Sequence, residues 1–183
     1  MNEALKCIMD RYSCRDFTGE PLTKEEVDAL VKAALAAPSA VNRMPWHIIM
    51  CTDKKIIDEM DDSGMEIVAA DEDKTTYNRL MERGGSMFYN APAMMVVLGD
   101  RSGWATLDSG ILVENVALAA HALGLGNVIC GMLRIPLDGP KGADFKKRLK
   151  FPADHDFAIA IMIGKAKSGK KPHELDMNKV TYV

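Results

Sequence analysis

Between Gly110 and Leu123 the chain reads GILVENVALAAHAL, with only Glu114, Asn115 and His121 polar after the glycine. A proline-free run of this kind folds as a helix that is apolar nearly all round. Such a helix belongs inside a protein or at a subunit interface. Glu114 and Asn115 interrupt it, and a membrane span needs about 20 predominantly apolar residues. We take the helix as Ser109 to Leu123, closed by a glycine cap at Gly124-Leu125-Gly126. Asn127 to Met132 should follow as a short buried strand or extended segment, and the fold is expected to assemble around this pair.

The same glycines do not make a dinucleotide site. Gly124-x-Gly126 would need a third glycine where Ile129 stands, and the order is helix then strand, the reverse of the fingerprint's context. No GxxxxGK[ST] phosphate loop occurs in the chain. A length of 183 residues suits one domain with a sizeable core, 1–183. The formal net charge of -3 argues against a general nucleic-acid binder. The first residues, MNEALKCIMDR, lack the apolar core of a secretory signal. Cys7, Cys14, Cys51 and Cys130 are scattered, with no CxxC and no cysteine–histidine cluster, so no metal site is expected. A reducing cytoplasm is the simplest setting.

In chain order, Glu3 to Arg11 is a first helix with Leu5, Ile8 and Met9 on one side. The stretch from Arg11 to Phe17 is turn-like. Thr23-Lys24-Glu25-Glu26 is a capping box opening a helix striped by Val27, Leu30, Val31, Ala34 and Leu35. Pro38 ends that helix in a loop through Asn42. Trp46 to Cys51, Ala93 to Gly99 and Phe157 to Gly164 are strands. Asp53 caps a helix bearing Ile56, Ile57 and Met60. The polar, glycine-punctuated stretch from Asp61 to Tyr89 reads as short helices in a mobile cover, its methionines an adaptable wall. Lys141 to Leu149 is a short basic helix, Lys165 to Pro172 is a basic loop, and Asn178 to Val183 is a last edge strand or an extended tail. Strands separated by helices of differing length imply an α+β fold, a mixed sheet flanked by helices. The tail has too little apolar material to fold on itself.

Four segments are locally unusual: Arg11/Ser13/Arg15, Pro38/Ser39/Asn42, Cys130-Gly131, and Lys165/Lys167/Lys170/Lys171. If they converge, they supply cationic donors at two places and a flat apolar wall. Paired arginines suit phosphate, because the planar fork gives paired, charge-assisted hydrogen bonds; two arginines flanking a turn are also ordinary surface charges. His121 is expected to be structural and hydrogen-bonded, and Cys14 a bystander. Nothing places a Ser or Cys beside His47, His155 or His173, so a hydrolase triad is unsupported.

Taken together, R-x-S-x-R-x-F at Arg11–Phe17, APSAxNxxPW at Ala37–Trp46, DxG at Asp108–Gly110 and AAHALGLG at Ala119–Gly126 resemble the nitroreductase family of FMN-dependent oxidoreductases. The resemblance implies a mixed sheet in an intertwined homodimer, with FMN at the subunit interface. It implies cofactor contacts from Arg11, Tyr12, Ser13 and Arg15, with Arg15 near the pyrimidine edge. It also implies that Pro38, Ser39, Ala40 and Asn42 line the flavin from the other subunit. The backbone of Cys130 and Gly131 would face flavin N5, and Lys170 or Lys171 would reach the phosphate. Relatives often carry Gln where Met44 stands, and Arg near the proline where this chain has Lys170-Lys171-Pro172.

The function implied is hydride transfer from NADH or NADPH to FMN, then to nitroaromatics, quinones or similar flat acceptors, with ping-pong kinetics. No side chain is named as catalytic, since the flavin carries the chemistry. A specialised flavin reaction (dehalogenation, ene reduction or flavin fragmentation) and a non-catalytic flavin-binding protein are the alternatives. No metal, nucleic acid or membrane is expected as a partner.

Overall fold

The structure is a computed structural model and describes residues 2–183. In order it contains α1 (Glu3–Asp10), α2 (Lys24–Leu35), β1 (Trp46–Cys51), α3 (Lys54–Ala70), α4 (Thr75–Met81), β2 (Ala93–Asp100) and α5 (Ala105–Ala122). Then come β3 (Gly126–Cys130), α6 (Arg134–Asp138), α7 (Gly142–Arg148) and β4 (His155–Gly164).

The four strands form one sheet in the order β1-β2-β4-β3. Each neighbouring pair is antiparallel. β2 and β3 therefore run parallel to one another, with α5 as the crossover and β4 inserted between them. The parallel component of the expected mixed sheet is a single bridge, Ser13 with Asn127, along the β3 edge.

Strand periodicity divides the core in two, because alternate side chains face opposite sides of a sheet. Met94, Val96 and Leu98 of β2 pack with Ile57, Met60, Leu80, Phe88, Leu133 and Phe145 on one face. Met95 and Val97 pack on the other face with Leu30 and Ala34 of α2 and Leu112, Val116 and Ala120 of α5. β2 from Ala93 to Gly99 is buried throughout, as expected of a central strand.

The organising helix starts four residues earlier than its sequence pattern suggests. Its Ala105 sits against Gly99, where an added Cβ would lie 2.9 Å from the Ala105 methyl. At the other end Gly124 adopts φ 75°, and the Leu125 amide donates to the Ala120 carbonyl at 2.8 Å. That is the anticipated left-handed glycine cap. The Thr23–Glu26 capping box is present in full.

Three expectations are corrected. The stretch after Asp61 is not irregular: α3 continues to Ala70, burying Ile57, Met60, Gly64 and Val68 along one stripe. Gly64 interrupts that stripe in the sequence because Met87 fills its space; an added Cβ would lie 2.7 Å from the Met87 sulfur. Met60 and Met87 are thus core filler, and Phe88 and Tyr89 are buried beside them. Second, β3 stops at Cys130, and a 3₁₀ turn (Gly131–Leu133) leads directly into α6. Third, of the two readings of Asn178 to Val183 the edge strand is not formed and the extended tail stands, with Leu175, Met177, Val180 and Tyr182 exposed. No helix among the described residues is long and apolar enough to cross a membrane.

Candidate functional site

The segment after α1 is extended and held by two isolated bridges, Ser13 to Asn127 on the β3 edge and Phe17 to Ala166. The Cys14 amide donates to the Asn127 carbonyl at 2.8 Å, and Phe17 bridges Ala166. Cys14 is buried, and its neighbours Ser13 and Arg15 point away from it and stay half-buried. Gly126 permits this close approach: an added Cβ there would lie 2.8 Å from the Cys14 sulfur. Cys14 is therefore packing material, and burial pushes its thiol pKa up.

The same extended segment captures the C-terminal tail. The Thr18 amide donates to the Lys165 carbonyl at 3.0 Å, the Lys167 amide to Asp16 at 2.9 Å, and the Tyr12 hydroxyl to the Ser168 carbonyl at 3.4 Å. These bonds carry Lys170 and Lys171 back over the Arg11–Arg15 turn. The result is a cavity of about 280 Å³ lined by Arg11, Tyr12, Ser13, Arg15, Lys170 and Lys171, together with Pro172 and His173. An adjoining cavity of about 250 Å³ shares Tyr12, Ser13, Arg15 and Lys170 and adds Asp16, Ser168 and Arg83.

Charge pairing within this cleft is uneven. Arg11 Nε lies 3.2 Å from the Glu114 carboxylate of α5. Arg15 makes only a 3.4 Å bond to the Ser13 carbonyl. Among the described residues, Arg15, Arg83, Lys170 and Lys171 form no ion pair. Four cations beside a serine hydroxyl, none of them in an ion pair, are donors of the kind that suits an anion.

The other sequence-selected residues lie elsewhere in the single chain. Pro38, Ser39, Ala40 and Asn42 line neither cavity. Their loop is tightly built. The Ser39 hydroxyl accepts from the Met44 amide at 2.8 Å, and the buried Asp108 carboxylate accepts from the Ala40 amide at 3.2 Å. Val41, Asn42 and Met44 take φ of 47°, 56° and 48°, a conformation L-residues adopt rarely and keep only where neighbours impose it. Cys130 is buried at the end of β3, and Gly131, next to it, is exposed. His121 lies in the last turn of α5, half-buried, and its ring makes no hydrogen bond among the described residues. Arg83 escaped the sequence reading because it sits in no recognisable pattern; His173, set aside there as a triad member, lines the cleft beside Pro172.

Burial raises the Cys130 thiol pKa to about 11, with the Asp61 carboxylate pushing it further and Arg15 opposing. The side chain is thus a neutral thiol at working pH, with no nucleophilic role. The fold keeps this proton after the unfolded chain has lost its own near pH 9, so stability falls as pH rises from 9 to 11. Two pH units correspond to roughly 3 kcal/mol. Chemical denaturation of Cys130→Ala should show a shallower loss across that window than the parent; equal slopes would contradict the assignment.

Among the described residues no group of histidine, cysteine or acidic side chains is arranged to hold a metal. Comparison with known proteins points one way. A solved structure, a nitroreductase with bound FMN from Desulfitobacterium hafniense DCB-2, is 44% identical and superposes with a TM-score of 0.96, covering 100% of this chain and 99% of that one. An Archaeoglobus fulgidus protein assigned as NADH dehydrogenase/NAD(P)H nitroreductase is 32% identical over 72% of this chain and 69% of its own length. The FMN reductase (NADPH) of Bacillus subtilis is 28% identical over 94% of this chain and 70% of its own. The chain spans between 55% and 70% of the length of the curated relatives it matches. The family model described as the nitroreductase family matches residues 8–165, and the chain belongs to that family.

Proposed function

We propose that this chain is a cytoplasmic, homodimeric FMN oxidoreductase. It takes hydride from NADH or NADPH and reduces nitroaromatics, quinones or similar flat conjugated acceptors by a ping-pong sequence. The observation that carries the reading is the cluster of Arg15, Lys170 and Lys171 around Ser13, cations without carboxylate partners in a chain of net charge -3. That donor set fits a phosphate monoester bearing a polyhydroxyl chain. The FMN bound in the Desulfitobacterium relative supports the same assignment.

In this reading Arg11, Tyr12, Ser13 and Lys170 or Lys171 hold the phosphate and ribityl chain. Arg15 sets its positive charge at the pyrimidine edge, a preorganised electrostatic contribution. Pro38, Ser39, Ala40 and Asn42 are supplied to each cleft by the second chain, which accounts for their distance from it in one chain. Cys130 and Gly131 contribute backbone rather than side chain. FMN, when bound, supplies the redox chemistry: a nicotinamide C–H bond breaks, and the two electrons pass on to the acceptor, which takes protons from solvent.

The test is an absorption spectrum of the purified protein before and after anaerobic NADH and NADPH. A flavin band that bleaches with either nucleotide is the expected result. A bound flavin that does not bleach would leave a binding protein, and no flavin after adding FMN would end the reading.

A further inference from the structure

The cleft carries more positive charge than one phosphate group requires. Its two cavities share Tyr12, Ser13, Arg15 and Lys170, so they are one continuous space, with Arg11 and Lys171 at one end and Arg83 at the other. Five cations line it; Glu114 pairs with Arg11, and Asp16 adds one negative charge to the lining without an ion pair among the described residues. Three positive charges remain in a protein whose formal net charge is -3. A phosphate monoester brings about -1.5 to -2 at neutral pH, so one cation is left over.

Arg83 is the cation that the cofactor leaves over. It stands at the opposite end from Arg11, and among the described residues its side chain has neither ion pair nor hydrogen bond. It follows α4 and precedes Gly84 and Gly85, both at positive φ, and a Cβ at Gly84 would meet nothing within 4 Å. This end of the cleft is exposed, where a group that arrives and departs in each turnover has access. The Arg11 end is roofed by the tail and suits a resident ligand.

We propose that Arg83 forms a second anion subsite that takes the phosphate groups of the nicotinamide dinucleotide donor. This rests on the FMN reading above. The arginine fork is suited to such a group because two parallel donors meet two phosphate oxygens. Its position on a glycine-flanked rim lets it engage the donor without adding to the hold on FMN.

The experiment compares the FMN-loaded parent with Arg83→Ala in anaerobic rapid mixing. Three donors are used: NADH, NADPH and 1-benzyl-1,4-dihydronicotinamide, which has the same ring and no phosphate. The variant should need about 5- to 20-fold more NADH or NADPH for half-maximal reduction, the loss expected of one charge-assisted contact. Its response to the benzyl donor and its dissociation constant for FMN should match the parent's. Equal losses with all three donors, or no loss with the dinucleotides, would overturn the subsite. A weakened FMN dissociation constant would also overturn it, by making Arg83 a cofactor ligand. A parent protein that binds no FMN would instead remove the underlying functional reading, and this inference with it.

Discussion

Replacing Arg15 with alanine is expected to weaken FMN binding by about 10- to 100-fold, the cost of removing one charged hydrogen-bonding partner from a polar site. Arg15 lines both halves of the cleft. Its tie to the protein is a 3.4 Å bond to the Ser13 carbonyl, and among the described residues it has no carboxylate partner. Removing it therefore takes little from the fold, and the loss falls on the ligand. Arg11 makes a less clean test, because Arg11→Ala would also break the pair with Glu114 on α5. Equilibrium binding followed by flavin fluorescence, with the rate of flavin reduction by NADH, measures the effect. Unchanged affinity together with an unchanged reduction rate would remove Arg15 from the cofactor site.

Much of this arrangement is legible in the sequence, for specific reasons. α5 announces itself because an all-apolar helix has few places to go. The Arg11–Phe17 turn and the Lys170-Lys171 tail are more than 150 residues apart, and a motif pattern joins them where periodicity has nothing to say. α3 was cut short at Asp61 because its stripe passes through Gly64, where the missing side chain is supplied by Met87 from a distant turn. Sequence spacing does not report a knob that comes from elsewhere in the chain. β3 was drawn two residues too long because Gly131 and Met132 continue the apolar run, while the backbone turns there into a 3₁₀ segment. Arg83 was missed for a different reason: an arginine before two glycines carries no signature, and its interest lies wholly in what surrounds it.

Aspartate at Leu107 and Ile111 together is expected to yield a folded monomer that no longer retains FMN. Both side chains project from α5 on the side away from the sheet, 57% and 37% exposed. Surface changes of this kind move single-chain stability by about 0.5 kcal/mol or less. Yet the two residues line a broad, mostly apolar groove of about 820 Å³ with Gly103, Thr106 and Gly110. α1 lies against α5 and adds Leu5, Ile8 and Met9, all exposed. If a second chain covers this surface, two unpaired carboxylates buried there cost several kcal/mol, enough to split the pair. The cofactor follows because the same helix organises both features. Glu114 pairs with Arg11 of the cleft, and Asp108 anchors the Ser39–Asn42 loop through the Ala40 amide. That loop lines neither half of the cleft in its own chain, so its proposed contact with flavin exists only across the interface. Light scattering gives the assembly state, and the flavin-to-protein ratio after gel filtration gives retention. A variant that stays dimeric would move the interface off α5. A monomer that still holds FMN tightly would mean each cleft is complete in one chain, leaving the strained Val41–Met44 backbone without the role assigned to it.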